Sequence, residues 1–359
     1  NTATVVKSPN ASGDIVIPTY VYHNLTKYKV IAIGLISFQE NMQIGSITFE
    51  NDSQMEIIDE SAFNSSSIKS IVIPKSVKKI LSHAFAFCQS LTEIRCEEGS
   101  MLQEIGRNTF SSPSLTTLII PNNVGSISQC CLYNTWSLTT VELLNGPRPT
   151  LKLDENKKLL YAKGTSNDEN YDYLLFAARD IKNVVVRSYI KHITSYAFEK
   201  CKKIKNFMFE KNSTLNDIGY NSFAYSSIEK LVMPSSLTLI SMEAFNECAK
   251  LKEVIFENDS KLTNITSKAF HFSGLKNMIV PSGVHIFQQD CFALCFNLIS
   301  LELLGEDVRL VDCFLYHSNK MKVILISNAK NISVQDSAFN GAPKNIVVFT
   351  LPNAHIEIF

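Results

Sequence analysis

Residues 71–91, IVIPKSVKKILSHAFAFCQSL, decide the fold. The stretch opens on a strand-like Ile71-Val72-Ile73, halts at Pro74, and continues with apolar Val77 and Ile80 before Ala84-Phe85, Cys88 and Leu91. The same grammar recurs on both sides. The Phe85 position is refilled by Phe38, Phe63, Phe110, Phe198, Phe223, Phe245, Phe270, Phe292 and Phe339, with Leu132 and Leu315 standing in twice. From Phe63 the steps are 22, 25 and 22 residues, and from Phe198 they are 25, 22, 25 and 22. Self-similarity at this period marks a repeat architecture. One such turn is too small to bury its own apolar face, so turns must stack to make a core.

A longer period lies over the short one. An offset of 160 carries Phe38, Phe63, Phe85, Phe110 and Leu132 onto Phe198, Phe223, Phe245, Phe270 and Phe292. It also carries Pro74 onto Pro234, Cys88 onto Cys248 and Pro121 onto Pro281. Residues of about 38–144 and 198–304 therefore read as two copies of one ancestral block. Within each turn the apolar-variable-apolar strand implies one face in the core, and proline at the strand end costs no ladder donor.

In order, residues 1–13 are a polar lead-in, 14–144 a first block of turns, and 181–351 a second block within a single solenoid spanning 1–359. Between them the grammar breaks over 145–180, where LKL (151–153), KLLYAK (158–163) and YDYLLFAA (171–178) suggest a hairpin or meander. The final strand, Val347–Phe349, and Ile356–Phe359 have no polar cap, so an open sheet edge and a longer natural chain are expected. Because the chain begins at Asn1 without Met, a signal or anchor could have been lost upstream.

The repeat resembles the BspA-like leucine-rich repeats, most clearly at 68–91 (IKSIVIPKSVKKILSHAFAFCQSL) and 228–251 (IEKLVMPSSLTLISMEAFNECAKL), and with decay over 14–351 outside the insertion. The resemblance implies a leucine-rich repeat solenoid of roughly thirteen turns, with a parallel sheet on its concave side. It also implies a surface or secreted protein of the kind found in mucosal bacteria and protist parasites, adhering to host matrix or cells. A fold does not specify what it binds.

Composition narrows the function. Basic and acidic residues balance at 34 each, so net charge draws the chain towards neither nucleic acid nor anionic membrane, and no apolar run is long enough to span a bilayer. Phosphate loops, dinucleotide fingerprints, zinc-protease helices and nucleophile elbows are all missing. The seven histidines occupy no fixed repeat position. Asp168, Asn170 and Asp172 imitate a calcium loop, but the glycine is absent and Arg179 stands where the bidentate Glu belongs. Nine cysteines cannot all pair; Cys88, Cys201, Cys248 and Cys295 each follow a repeat Phe by three residues, as inert core thiols would. No enzyme, cofactor or metal site is expected. Free thiols favour an intracellular scaffold, whereas eight Asn-x-Ser/Thr sequons (Asn10, Asn24, Asn51, Asn64, Asn212, Asn258, Asn264 and Asn331) favour a secretory route and a glycoprotein.

Surface is what remains. The variable strand residue should face the concave side, giving the column Thr48, Val72, Arg95, Ile119, Glu142, Val185, Met208, Val232, Ile255, Ile279, Glu302, Leu325 and Thr350. Two residues earlier lies a polar column. The expected ligand-binding surface is Met208, Val232, Ile255 and Ile279, flanked by Asn206, Lys230, Glu253 and Asn277, presented to a host cell-surface or matrix protein. β-branched residues also suit strands for their own sake, so a cytoplasmic structural role stands as the alternative.

Overall fold

The computed structural model describes residues 1–165 and 167–359; Ser166, in the polar link of the expected insertion, lies outside the described residues. The chain divides into two compact units, Asn1–Tyr171 and Asp172–Phe359. Each unit is a stack of parallel β turns, the solenoid expected, and fourteen main strands, six then eight, stand among the described residues. That is one more than the column of thirteen, because Gly13–Ile17 also joins the ladder by pairing with Ile44–Phe49.

Every turn has three sides. Its main strand is four to six residues long, as in Ser70–Ile73, which pairs with Glu93–Cys96. Its second side is a short strand such as Lys79–Ile80, which pairs in parallel with Ile57–Ile58 and Glu104–Ile105. The third side carries the repeat Phe. Both ladders alternate exposed and buried residues, so Ile71, Ile73 and Ile80 enter the core. The short and main strands repeat at the 160-residue offset: Ser70–Ile73 recurs as Lys230–Met233 and Lys79–Ile80 as Leu239–Ile240.

The phenylalanines form one stacked column in each unit. Phe63 lies 5.2 Å from Phe85 with ring planes 3° apart, and Phe245 lies 5.0 Å from Phe223 and 5.2 Å from Phe270. Backbone bonds hold the rings at this spacing. Around Phe85, the amides of His83, Phe85 and Phe87 donate to Arg107, Thr109 and Ser111 of the next turn. In most turns the residues two before and two after the Phe adopt the left-handed conformation, as at His83 and Phe87 and again at Glu243 and Glu247. That geometry aims alternate amides along the stack, at the cost of backbone strain that non-glycine residues rarely accept.

Two further devices join turns. In eight turns the residue three after the Phe, or after Leu315 in its place, is Ser or Cys, a small donor: Ser66, Cys88, Cys201, Ser226, Cys248, Ser273, Cys295 and Ser318; Asn41, Pro113 and Ala342 stand there after Phe38, Phe110 and Phe339. Cys88 Sγ donates to the Phe63 carbonyl at 2.9 Å and Cys248 Sγ to the Phe223 carbonyl at 3.0 Å, while Ser318 Oγ donates to Phe292 at 2.7 Å. All four cysteines expected at this position are buried and unpaired. In the other device, a Glu just after a main strand accepts an amide from the previous turn. Glu97 takes the Lys75 N–H at 2.8 Å, Glu210 that of Ser188 at 2.8 Å and Glu257 that of Ser235 at 2.9 Å.

The edges carry pairings of their own. The polar lead-in is ordered: Thr2–Val5 pairs in parallel with Thr26–Ile33, which also forms a hairpin with Tyr20–His23 through left-handed Asn24 and Leu25. Backbone amides need partners whatever their side chains, so polarity alone does not keep a segment out of a ladder. Leu151–Leu153 and Leu159–Ala162 form an antiparallel hairpin, its turn held by Asp154 Oδ1 accepting from the amides of Lys158 and Leu159. Tyr173–Ala177 pairs in parallel with His192–Ile193 and so belongs to the repeat ladder of the second unit. At the far end Phe339 is half-buried within a 3-10 helix, Asp336–Phe339, and the strands Val347–Thr350 and His355–Ile358 have no buried residue.

Candidate interaction surface

In the second unit the outward column of the main strands is Val185, Met208, Val232, Ile255, Ile279, Glu302, Leu325 and Phe349. The four apolar residues singled out from sequence, Met208, Val232, Ile255 and Ile279, all face outward; Met208 is 59% and Ile279 55% exposed. The column is more nearly continuous than expected. Its one acidic member, Glu302, accepts the Ser327 hydroxyl at 2.7 Å and so is tied down.

Two positions of the expected column are corrected. The last is Phe349, because the ladder pairs Leu325 with Phe349 and sets Thr350 opposite the core residue Ile326. The terminal turn carries one more residue between strand and proline, so counting back from Pro352 lands one place late. In the first unit Ile119 is only 2% exposed. Its register neighbours are Arg95 and Glu142, the two long charged side chains of that column, which fence it on both sides. In the first unit the column thus presents apolar side chains outward only at separated places, such as Val16 and Val72.

The polar column is satisfied in pairs. Asn206 Nδ2 donates to Asn183 Oδ1 at 2.8 Å, Lys230 Nζ lies 2.7 Å from Glu253, and Ser300 Oγ donates to Asn277 Oδ1 at 2.8 Å. The same three pairs of turns have their main strands hydrogen-bonded. Between the pairs, at Asn206–Phe209 against Lys230–Met233 and at Glu253–Phe256 against Asn277–Val280, the strand ladder lapses. The second lapse opens a cleft of about 1040 Å³ that brings together Ile255, Ile279, Glu253 and Asn277, with Lys252, Lys276 and Asn258 at its margin. Met208 and Val232 lie outside the cleft, farther along the column. The cleft was not legible in the sequence, since every strand there carries the same pattern. Asn258, at its margin, is one of seven sequon asparagines that are exposed; Asn64 is half-buried.

Burial pushes the Cys96 and Cys248 thiols up to about 12 and that of Cys295 up to about 11, far from the thiolate a nucleophile requires. His192 Nδ1 lies 2.6 Å from Asp217 on adjacent short strands, a pairing hidden in sequence by the full turn between them. The Tyr173 ring stacks on His192, and the Asn216 amide donates to Asp217. Among the described residues no three His, Cys, Asp or Glu side chains converge as metal ligands, and no helix is long and apolar enough to cross a membrane.

A family model described as "BspA type Leucine rich repeat region (6 copies)" matches residues 21–147, 171–299 and 257–358. Among solved structures the fold is similar to the pneumococcal vaccine antigen PcpA, at 18% identity and a TM-score of 0.63 over 99% of this chain and 91% of that one. A leucine-rich repeat protein from Eubacterium ventriosum is 17% identical with a TM-score of 0.58, over 87% of each chain. A leucine rich cell surface protein from Faecalibacterium prausnitzii is 18% identical with a TM-score of 0.51, over 100% of this chain and 90% of that one. At these identities the likeness is one of fold. No curated protein matches the chain.

Proposed function

Starting from the chain's membership of the BspA-type leucine-rich repeat family, we propose that it is a non-enzymatic binding protein, secreted or held at a cell surface. It adheres to a host-cell or extracellular-matrix protein through the outward column of its second unit. The observation that carries this reading is that seven of the eight column positions from Val185 to Phe349 are apolar and all seven are exposed or lie at a strand face open to solvent. An apolar strip beside a polar rim is the composition of an interface core. The rim residues Asn206, Lys230, Glu253 and Asn277 already satisfy one another or their neighbours, so covering them strands few polar groups. Glycans on exposed sequon asparagines would suit a secretory route.

The alternative, an intracellular scaffold, draws on the free thiols. Seven of the nine are buried, and a buried, hydrogen-bonded thiol resists oxidation in any compartment, so their presence supports neither location over the other. The test is the double substitution Val232→Asp and Ile255→Asp, which places two charges on the column and leaves the core-facing Leu231, Met233, Val254 and Phe256 in place. Binding to matrix protein or host cells should fall at least tenfold while the thermal transition holds. Unchanged binding would move the site to the second-side links or to the 151–162 hairpin.

A further inference from the structure

One edge of the second unit carries a run of lysines that the repeat itself does not need. The residue just before the polar column is, turn by turn, Lys182, Lys205, Glu229, Lys252, Lys276, Ile299 and Lys322. Just across the buried Ile, Leu or Met that precedes it stand Asp180, Lys203, Ser227, Lys250, Gly274, Asn297 and Lys320, with Lys202 beside Lys203. All these lysines are exposed. The first unit supplies an internal control. Its corresponding positions are Thr92, Thr116 and Thr139 before the polar column, and Ser67, Ser90, Ser114 and Ser137 across the buried residue; Lys69 is the one lysine. The same turn is therefore built with an edge of Thr and Ser, Lys69 apart, in one unit and an edge dominated by lysine in the other.

The lysines are held close and are little neutralised. Lys205 N–H donates to the Lys182 carbonyl at 2.7 Å and Lys276 N–H to the Lys252 carbonyl at 3.3 Å, so these side chains leave adjacent turns side by side. Like charges directly opposite on neighbouring strands are destabilising. Lys252 has a carboxylate partner in Glu229 at 3.0 Å, and Lys320 donates to the Asn297 amide at 3.0 Å. Successive turns lie about 4.8 Å apart, so the run makes a linear cationic track along the stack. The balanced charge of the whole chain conceals it.

We propose that this edge holds a linear, sulfated or carboxylated polysaccharide. The track is all lysine, with no arginine for planar, bidentate recognition. Its aromatic neighbour, Phe296, packs edge-on against Phe272 at 5.3 Å, so it offers no series of stacking platforms for bases. Apart from Phe296 and Ile299, in a turn without lysine, the rows present nothing apolar for a protein side chain to bury in. They do present amides, Asn297 and Asn319, that suit hydroxyls. A charged, hydroxyl-rich chain with no side chains to bury fits such a track. The proposal does not depend on the apolar column.

The test replaces lysines by the residues of the first unit: Lys250→Ser, Lys252→Thr and Lys276→Thr together. Binding of heparin, as the sulfated probe, is measured over a range of NaCl, beside a control carrying Lys211→Ser, Lys261→Ser and Lys344→Ser. The parent should bind, and the edge variant should lower the slope of log K against log[NaCl] by about two to three, roughly one per lost contact. The control should lower it by less than one. If the edge variant loses its thermal transition, Lys202→Ser, Lys203→Ser and Lys205→Thr replace it with the same expectation. Equal slopes for edge and control variants would overturn the proposal, as would absence of heparin binding at low salt. Binding of single-stranded DNA or polyglutamate of matched charge as tightly as heparin would overturn it too, in favour of a nucleic acid or an acidic protein.

Discussion

Cys248 shows how little of the conserved-looking chemistry of a repeat need be chemistry at all. Its thiol is buried, donates to the Phe223 carbonyl at 3.0 Å and touches Ser226 Oγ at 3.6 Å, and the same position holds Ser in neighbouring turns. Sulfur and oxygen serve there as equivalent small donors. Cys248→Ser should therefore stay within about 1 kcal/mol of the parent in urea unfolding, whereas Cys248→Val, which deletes the donor and adds a branch, should cost about 1–3 kcal/mol. Glu210 is a residue of the opposite kind, acting through its charge. Arg187 at 2.8 Å, together with the Ser188 amide, holds its carboxyl below the ordinary 4.5. A carboxyl whose folded pKa is depressed contributes stability above its unfolded value, and that contribution fades as pH falls through the folded one. Thermal melts should show Glu210→Gln below the parent at pH 6, with the gap closing progressively below pH 4.5.

The element that sets the turn is the Phe column. Phe245 is fully buried and stacked between Phe223 and Phe270. Phe245→Ala should cost about 3–5 kcal/mol. Phe245→Leu should be milder, since Leu132 and Leu315 hold the same position and remain buried. In a stack each turn answers mainly to its neighbours. Hydrogen exchange in Phe245→Ala should accelerate first at the amides of Phe223, Phe245 and Phe270, and a uniform rise along the chain would contradict that coupling.

Across the molecule, the turns, the 160-residue duplication and the outward face of the strands were legible because each rests on residue type at a fixed period. Phe85, Ile73 and Val232 each fall where the period puts them. What escaped depends on quantities a period does not carry. The cleft between Ile255 and Ile279 comes from a lapse in hydrogen bonding between strands of the same pattern. The lysine track is spread over turns that are distant in sequence and is averaged away in a net charge of zero. The place of Phe349 rather than Thr350 in the column is set by ladder register, which the extra residue before Pro352 hides in the sequence.

The left-handed residues on either side of most repeat Phe residues, as at Phe85 and Phe245, set a rule for how such a gene can change length. They direct the amides of one turn onto carbonyls of the next, so a cut that falls inside a turn leaves both neighbours with mismatched partners. A cut that removes one 22-residue and one 25-residue step together rejoins equivalent residues, as from Phe198 to Phe245. Recombination between copies therefore has its silent breakpoints one such pair apart. Relatives that share this frame can differ in copy number while every junction stays chemically the same.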